Sequence, residues 1–259
     1  MKNIFAVAGI VIKELYRRKD FYVLFILTIV ICVLMAMVNI YNSPEIIRYI
    51  KDICLLLTWI SSLVIAITTT ARQIPVEKEQ RTLLPLLAKP LSRTELIFGK
   101  FFGCWLACGL ALICFYIAFG VLAASREHNL PLLNYFQAAF LHWMVLGVVV
   151  AFALLGSLVF AAPSSNSTIC FVIVVTILTI GRYLDAVALK LSEPLRTVVY
   201  VIYYAIPHVE IPFEMRNLIV HDWPLVSWTF IGLDVLYLLA YTAVFLVAAC
   251  LVFRRKAVN

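Results

Sequence analysis

The segment IPVEKEQRTLLPLLAKPLSRTELIFGKFFG, residues 74–103, is a charged stretch that lies between two long apolar runs. It begins with polar and charged residues at 77–81 and continues with a short, mainly apolar stretch at 82–88. That stretch cannot cross a bilayer, because a helical span needs about 20 residues. The pattern therefore predicts two membrane spans joined by a loop, 73–96, that carries a short helix.

The end of this loop carries signals for a helix stop and a helix start. Pro90 ends the short helix because proline has no backbone N–H to donate. Ser92 or Thr94 is predicted to cap the next helix, with Glu95 in its first turn. That helix continues through Lys100 directly into the following apolar run. Loop and span are therefore expected to form one continuous element.

The composition of the whole chain is that of a membrane protein. Of its 259 residues, 64% are apolar and 14% are charged, whereas soluble domains average about 45–50% and about 25%. So few polar side chains cannot cover a soluble globule, and the length leaves no room for a soluble catalytic domain beside the spans. The seven cysteines are an odd number and lie in or beside apolar runs, which argues against a disulfide framework.

Six apolar runs are long enough to cross a bilayer, so we predict an all-α integral membrane protein. These spans are residues 21–41, 53–71, 97–123, 137–162, 167–184 and 229–253. Residues 1–20 show helical spacing of apolar residues, with basic residues at the far end. This pattern predicts an interfacial amphipathic helix that leads into the first span.

The segment before the last span, 185–228, is long and not simply polar. Its apolar stretch at 195–207 is too short to cross a bilayer, and Pro207 and Pro212 interrupt it. We predict re-entrant or interfacial helices on the outer side of the membrane. A seventh span is the alternative, but it would place the basic C-terminus outside.

The charge excess of +7 follows the predicted topology. The N-terminal segment, the 72–100 region and the C-terminus hold 14 of the 21 basic residues and carry a net charge of +9. The other loops carry −1, and one acid, Asp234, lies within the last span. By the positive-inside rule both termini are cytoplasmic. The excess therefore gives no reason to expect a nucleic-acid partner.

The 74–103 segment resembles the signature of type-2 ABC exporter permeases, and the likeness in layout extends over essentially the whole chain. The signature runs acid-x-acid-x-Arg-Thr-Leu, then Leu-Leu-x-x-Pro-x-x-Arg, then Gly-Lys. Its positions here are Glu77, Glu79, Arg81, Thr82, Leu83, Leu86, Leu87, Pro90, Arg93, Gly99 and Lys100. The chain is most similar to the short six-span permeases of this family. One departure is Pro85, which would shorten or kink the short helix.

The resemblance implies that the short helix at 82–88 is a coupling helix that binds a separate nucleotide-binding subunit. ATP and Mg would belong to that subunit, since the chain has no Gly-x-x-x-x-Gly-Lys-Ser/Thr phosphate loop. The chain itself is then a non-catalytic subunit without a cofactor. The resemblance also implies a second permease chain, identical or related, and a bacterial inner-membrane location.

Two further features concern helix packing within the membrane. Four small residues recur every four positions in the third span, which permits another helix to approach closely, either within the chain or in a second copy. They are Gly99, Gly103, Ala107 and Ala111. Asp234 is predicted to pair with Arg182 or to meet Tyr183 or another donor, because ionisable groups inside a bilayer are usually paired. A structural role is preferred over a substrate site.

No other candidate chemistry is predicted. The histidines His128, His142, His208 and His221 are scattered, and they match no metal-ligand spacing. The sequence therefore predicts a permease of an ATP-driven transporter. The alternatives are a mechanotransmitter that passes motion to a periplasmic partner through 185–228, an intramembrane enzyme, and a structural anchor. The anchor would not explain the 74–103 signature, and the enzyme would need acids or histidines that converge at one depth, for which only Asp234 and His142 are candidates.

Overall fold

The computed structural model describes residues 2–17, 19–37, 44–80, 92–124 and 131–255, and in these ranges the regular structure is helical. We number its eleven helices in chain order. They are α1 (Lys2–Tyr16), α2 (Lys19–Met37), α3 (Pro44–Ala71), α4 (Pro75–Glu79), α5 (Arg93–Ala124), α6 (Leu132–Val159), α7 (Pro163–Ala188), α8 (Leu195–Ala205), α9 (Glu210–Glu214), α10 (Asn217–Val220) and α11 (Trp228–Arg255).

Five of the described helices are long and apolar enough to span a membrane, so this is a multi-pass membrane protein. They are α3, α5, α6, α7 and α11. The predicted first span coincides with α2, a helix of 19 residues in which the longest stretch of described side chains, Phe25–Leu34, is too short to be counted with these five. The predicted seventh apolar stretch forms α8, which has 11 residues and is also too short. Six spans therefore stay a prediction, and five of the described helices are candidates for spans.

The boundary between α6 and α7 differs slightly from the prediction. Helix α6 ends at Val159, three residues before position 162, because Phe160 is extended with φ −88° and ψ 139°. Pro163 then begins α7, where its fixed φ suits a first helical turn. Asn166 donates from Nδ2 to the Ala153 carbonyl at 3.0 Å and is fully buried. This contact holds the two helices together at their turn.

Helix α6 is the most buried of the five long helices, with α3 on one side and α11 on another. His142 of α6 is fully buried, and its Nε2 lies 2.8 Å from the Ser62 hydroxyl of α3. Its ring stacks on the Trp59 ring with the centroids 3.7 Å apart, and its Nδ1 lies 3.5 Å from the Tyr116 hydroxyl of α5. This polar cluster connects three helices inside the core.

Helices α5 and α6 also meet through a reciprocal tryptophan pair. Trp105 donates from its indole nitrogen to the Trp143 carbonyl at 3.0 Å, and Trp143 donates to the Trp105 carbonyl at 3.2 Å. The rings stack with centroids 4.5 Å apart. Each indole lies over the glycine one turn further along the opposite helix, Gly147 or Gly109. The two glycines thus create the space that the stacked rings occupy.

The N-terminal helix α1 packs lengthwise on α5. A Cβ added to Gly99 would lie 2.6 Å from the Val7 Cβ, and one added to Gly103 would lie 2.7 Å from the Val11 Cβ. Both pairs have the same sequence offset of 92, so the two helices run side by side in the same direction. The apolar face of α1, predicted to rest on lipid, is therefore covered largely by α5 of the same chain.

The segment before α11 is held on the ends of α3, α6 and α11 by polar contacts. Asn134 of α6 donates to the Leu218 and Trp223 carbonyls at 3.2 and 2.9 Å. Gln137 donates to the Val226 carbonyl and accepts from the Val226 N–H, at 3.0 and 3.2 Å. Lys51 of α3 is 4% exposed and donates to the Ile219 carbonyl at 3.4 Å. These contacts make the segment a fixed part of the bundle.

Candidate functional site

The candidate site is built around Lys100, at the end of the 73–96 loop. Its side chain is 2% exposed, and its ammonium group donates to three acceptors: the Gln73 carbonyl at 3.0 Å, the Gln73 Oε1 at 3.2 Å and the Glu77 Oε1 at 2.7 Å. An ammonium group has three N–H donors, so these acceptors satisfy all of them. The contacts connect α5 to α4 and to the turn before it, which closes the base of the loop.

Helix α4 begins where the turn after α3 meets a proline. Pro75 is buried at the first position of α4, which suits a residue without a backbone N–H. Glu77 faces Lys100, whereas Glu79 is exposed. Glu79 and Lys78 line a pocket of about 410 Å³ that they share with residues 157–161 at the end of α6. The first acid of the signature is thus part of the base, and the second lies on a surface.

Arg93 attaches the other end of the loop to the last helix. Its Nη1 donates to the Phe253 and Arg254 carbonyls at 3.1 and 3.3 Å, and its guanidinium lies 5.7 Å from the Phe253 ring centroid. The last carbonyls of a helix have no partner within it and favour a positive charge nearby. Arg93 therefore joins the start of α5 to the end of α11.

Ser92 and Glu95 form a reciprocal capping box at the start of α5. The Glu95 N–H donates to the Ser92 hydroxyl at 3.1 Å, and the Ser92 N–H donates to Glu95 Oε2 at 2.8 Å. Of the two caps that the sequence left open, Ser92 is the residue that receives the N–H of Glu95. Thr94 lies beside it, with the two hydroxyls 3.0 Å apart.

We expect Ser92→Ala to lower the free energy of unfolding by about 1 kcal/mol, because it leaves an N–H of the first turn without its side-chain acceptor. The measurement is the midpoint of thermal unfolding of the purified chain in detergent. Thr94→Ala is the matched control, since the Thr94 hydroxyl does not accept the Glu95 N–H. An equal loss from both variants would contradict the assignment of Ser92 as the cap.

The structure describes the two ends of the signature. Arg81, Thr82, Leu83, Leu86, Leu87 and Pro90 lie outside the described residues, and so does Pro85. The predicted helix at 82–88 therefore stays a prediction. The structure brings together Glu77 and Lys100 and places Gly99 one residue before Lys100, against α1.

The small-residue stripe faces the inside of the chain at the positions the structure describes. Gly99 and Gly103 meet α1, and Ala107 and Ala111 are 8% and 3% exposed. Within this chain, the close approach that the stripe permits is made by α1.

The predicted intramembrane pair is only half described. Asp234 is 8% exposed, and its Oδ2 has no hydrogen-bond partner among the described residues. The side chain of Arg182 lies outside them, so the pairing of Asp234 with Arg182 or Tyr183 stays a prediction.

The sequence reasoning missed three features that the structure reveals. It missed Gln73, which supplies two of the three acceptors for Lys100, and it missed the buried role of His142. It also missed the Trp-x-x-x-Gly pattern, which occurs at 105–109 and again at 143–147. The repeat of that pattern was visible in the sequence. The contact between Gln73 and Lys100 was not, because it depends on the path of the chain between α3 and α4.

The fold and the site define a helical membrane protein whose charged loop is anchored at both ends to its long helices. A family model for ABC-2 family transporter proteins matches residues 5–258. The chain therefore belongs to that family, whose members are membrane components of ABC transporters and pair with an ABC ATPase subunit. A search of curated proteins finds no match.

Proposed function

We propose that this chain is the permease of an ATP-driven exporter, and that the loop between α4 and α5 receives the motion of the ATPase subunit. The observation that carries the proposal is the buried Lys100, which ties Gln73 and Glu77 to α5 at the base of that loop. A force applied to the loop would not reach the membrane helices if the base of the loop were flexible. Anchored in this way, the loop transmits the force to the membrane helices.

The contacts at the two ends of the loop indicate which helices would receive this force. Glu77 and Lys100 join the end of α3, through α4, to α5, and Arg93 joins α5 to the end of α11. A push on the 81–91 residues then acts on three long helices together. Helix α1, packed along α5 at Gly99 and Gly103, would move with them. Such a coupled displacement would tilt these helices against a second permease chain and move a substrate.

The remaining parts of the proposal rest on the charge distribution and on the family. Both termini would face the cytoplasm of a bacterial cell, with the chain in the inner membrane. ATP and Mg would be bound by the partner ATPase subunit, so the permease would carry no catalytic site. The substrate would leave the cytoplasm or the inner leaflet.

A second candidate function is a mechanotransmitter that acts on a periplasmic partner without moving a substrate through itself. The firm attachment of residues 218–226 favours it, because Asn134, Gln137 and Lys51 fix this part of the outer segment to the long helices. A movement of α6 would then move this outer segment with it. Transport of a substrate by liposomes that contain only the permease and its ATPase would exclude this function.

The test of the proposal uses Leu86→Glu and Arg81→Glu in the chain co-purified with its ATPase subunit. We expect each variant to weaken assembly about thirtyfold, because an unpaired charge in an interface costs about 2 kcal/mol. The measurements are the dissociation constant of the two subunits and the stimulation of ATP hydrolysis by the permease.

Leu225→Glu is the matched control, since Leu225 is an exposed leucine in the segment before α11. It introduces the same charge on the opposite side of the membrane and should leave both measurements unchanged. Normal assembly and normal stimulation by Leu86→Glu and Arg81→Glu would refute the assignment of the coupling loop.

A further inference from the structure

An apolar groove of about 520 Å³ runs between α5 and α6, on a side that the other described residues leave open. It is lined by Ile12, Leu106, Leu110, Ile113, Phe136 and Trp143, among others. Leu110, Ile113 and Phe136 are each more than half exposed. The groove therefore opens toward whatever surrounds the long helices.

The described residues that line the groove offer no free hydrogen-bonding side chain to an occupant. Among them, the one polar side-chain group is the indole N–H of Trp143, which already donates to the Trp105 carbonyl. Gly109 in its floor adds no side chain, and the Trp143 ring lies against it. Surfaces of this kind accept hydrocarbon, because burying a polar group without a partner is costly.

The end of α1 brings two exposed basic residues to the level of the groove. Ile12 of α1 contributes to the lining, and the next residue, Lys13, is exposed, as is Arg17 one turn later. The offset of 92 between α1 and α5 places Arg17 at the level of Gly109, one turn into the groove, and Lys13 at the level of Trp105, where the groove begins. From there the groove follows α5 from Leu106 to Ile113, about 10 Å at the rise of a helix.

We propose that this groove binds an anionic phospholipid, with an acyl chain between α5 and α6 and the phosphate beside Lys13 and Arg17. The apolar lining selects hydrocarbon, and the basic pair selects a negative headgroup. A bound lipid of this kind would join α1 to the α5–α6 pair. The proposal concerns a lipid that stabilises the chain, so it does not depend on what the transporter moves.

The experiment measures lipids retained by the purified full chain from mixed phosphatidylglycerol and phosphatidylcholine vesicles, using native mass spectrometry. We expect the unmodified chain to retain phosphatidylglycerol in preference to phosphatidylcholine. Replacing Lys13 and Arg17 together by glutamine should reduce that preference about fivefold for each charge removed. The control replaces Arg254 and Arg255 by glutamine, which removes the same charge elsewhere and should keep the preference.

A second variant tests the groove itself. Leu110→Trp fills the groove at an exposed position and should reduce retention of both lipids, whereas Leu236→Trp, on the exposed face of α11, should not. Equal retention by the two tryptophan variants would overturn the proposal. So would a dimer in the mass spectrum that Leu110→Trp dissociates, since it would make a second copy the occupant. An unchanged preference after loss of Lys13 and Arg17 would refute the headgroup assignment.

Discussion

Replacing Lys100 by methionine is expected to lower the free energy of unfolding by about 3 kcal/mol, the cost of breaking a buried ion pair by removing one partner. Methionine has a similar length but no donors, so the Gln73 carbonyl, Gln73 Oε1 and Glu77 all lose the ammonium group. The midpoint of thermal unfolding in detergent measures the loss. Stimulation of the ATPase subunit should fall in the same variant, because the base of the loop is released.

Lys190→Met is the matched control, since Lys190 is exposed in the turn after α7. It should change neither the unfolding midpoint nor the stimulation. A second comparison adds Glu77→Gln to Lys100→Met. The combined loss should be smaller than the sum of the single losses, because the two residues share one interaction. Additive losses, or a Lys100→Met chain as stable as the control, would show that the pair does not hold the loop.

The second large effect is expected from Gly109→Ala. An added Cβ would lie 2.5 Å from the Trp143 Nε1, a distance that forces the indole away from the Trp105 carbonyl. We expect a loss of about 1–3 kcal/mol, as for other side chains inserted into a packed core. Tryptophan fluorescence should change as well, because the stacked pair at 4.5 Å separates. Thermal unfolding and the emission spectrum are the two measurements.

Gly147→Ala and Gly232→Ala complete this series. Gly147→Ala places its Cβ 3.0 Å from the Trp105 Nε1 and should have a smaller effect in the same direction. No atom of the described residues lies within 4 Å of a Cβ at Gly232 of α11. That substitution should be neutral or slightly stabilising, since alanine is favoured over glycine within a helix. A destabilisation by Gly232→Ala equal to that by Gly109→Ala would show that helix propensity, and not the tryptophan pair, is being measured.

The sequence predicted the features that depend on neighbouring residues. The pairing of Ser92 with Glu95 lies within one helical turn, so its spacing was sufficient to predict a cap. The apolar runs predicted long helices for the same reason. The run at 21–41 coincides with the 19-residue helix α2, and its assignment as a span stays a prediction.

The partners of single side chains were harder to predict, because they lie far apart in the chain. Arg93 was placed in the signature, but its acceptors, the carbonyls of Phe253 and Arg254, are 160 and 161 residues away. The small-residue stripe predicted close packing and left open whether the partner belonged to this chain. In the structure, Val7 and Val11 of α1, in the same chain, pack against the two glycines of the stripe. The spacing of residues indicates that a helix face is suited to close packing. It does not indicate which other helix packs against that face.

By itself, the sequence determined that the chain is helical, crosses a membrane several times, and carries one charged loop with the pattern of a transporter family. These properties follow from local composition, since each span must satisfy its own backbone hydrogen bonds in lipid. Only the tertiary structure decided that Lys100 closes the base of that loop, that α1 covers the glycines of α5, and that two tryptophans join α5 to α6. Those contacts depend on packing between distant segments, where shape and hydrogen-bond geometry select one partner among many apolar surfaces.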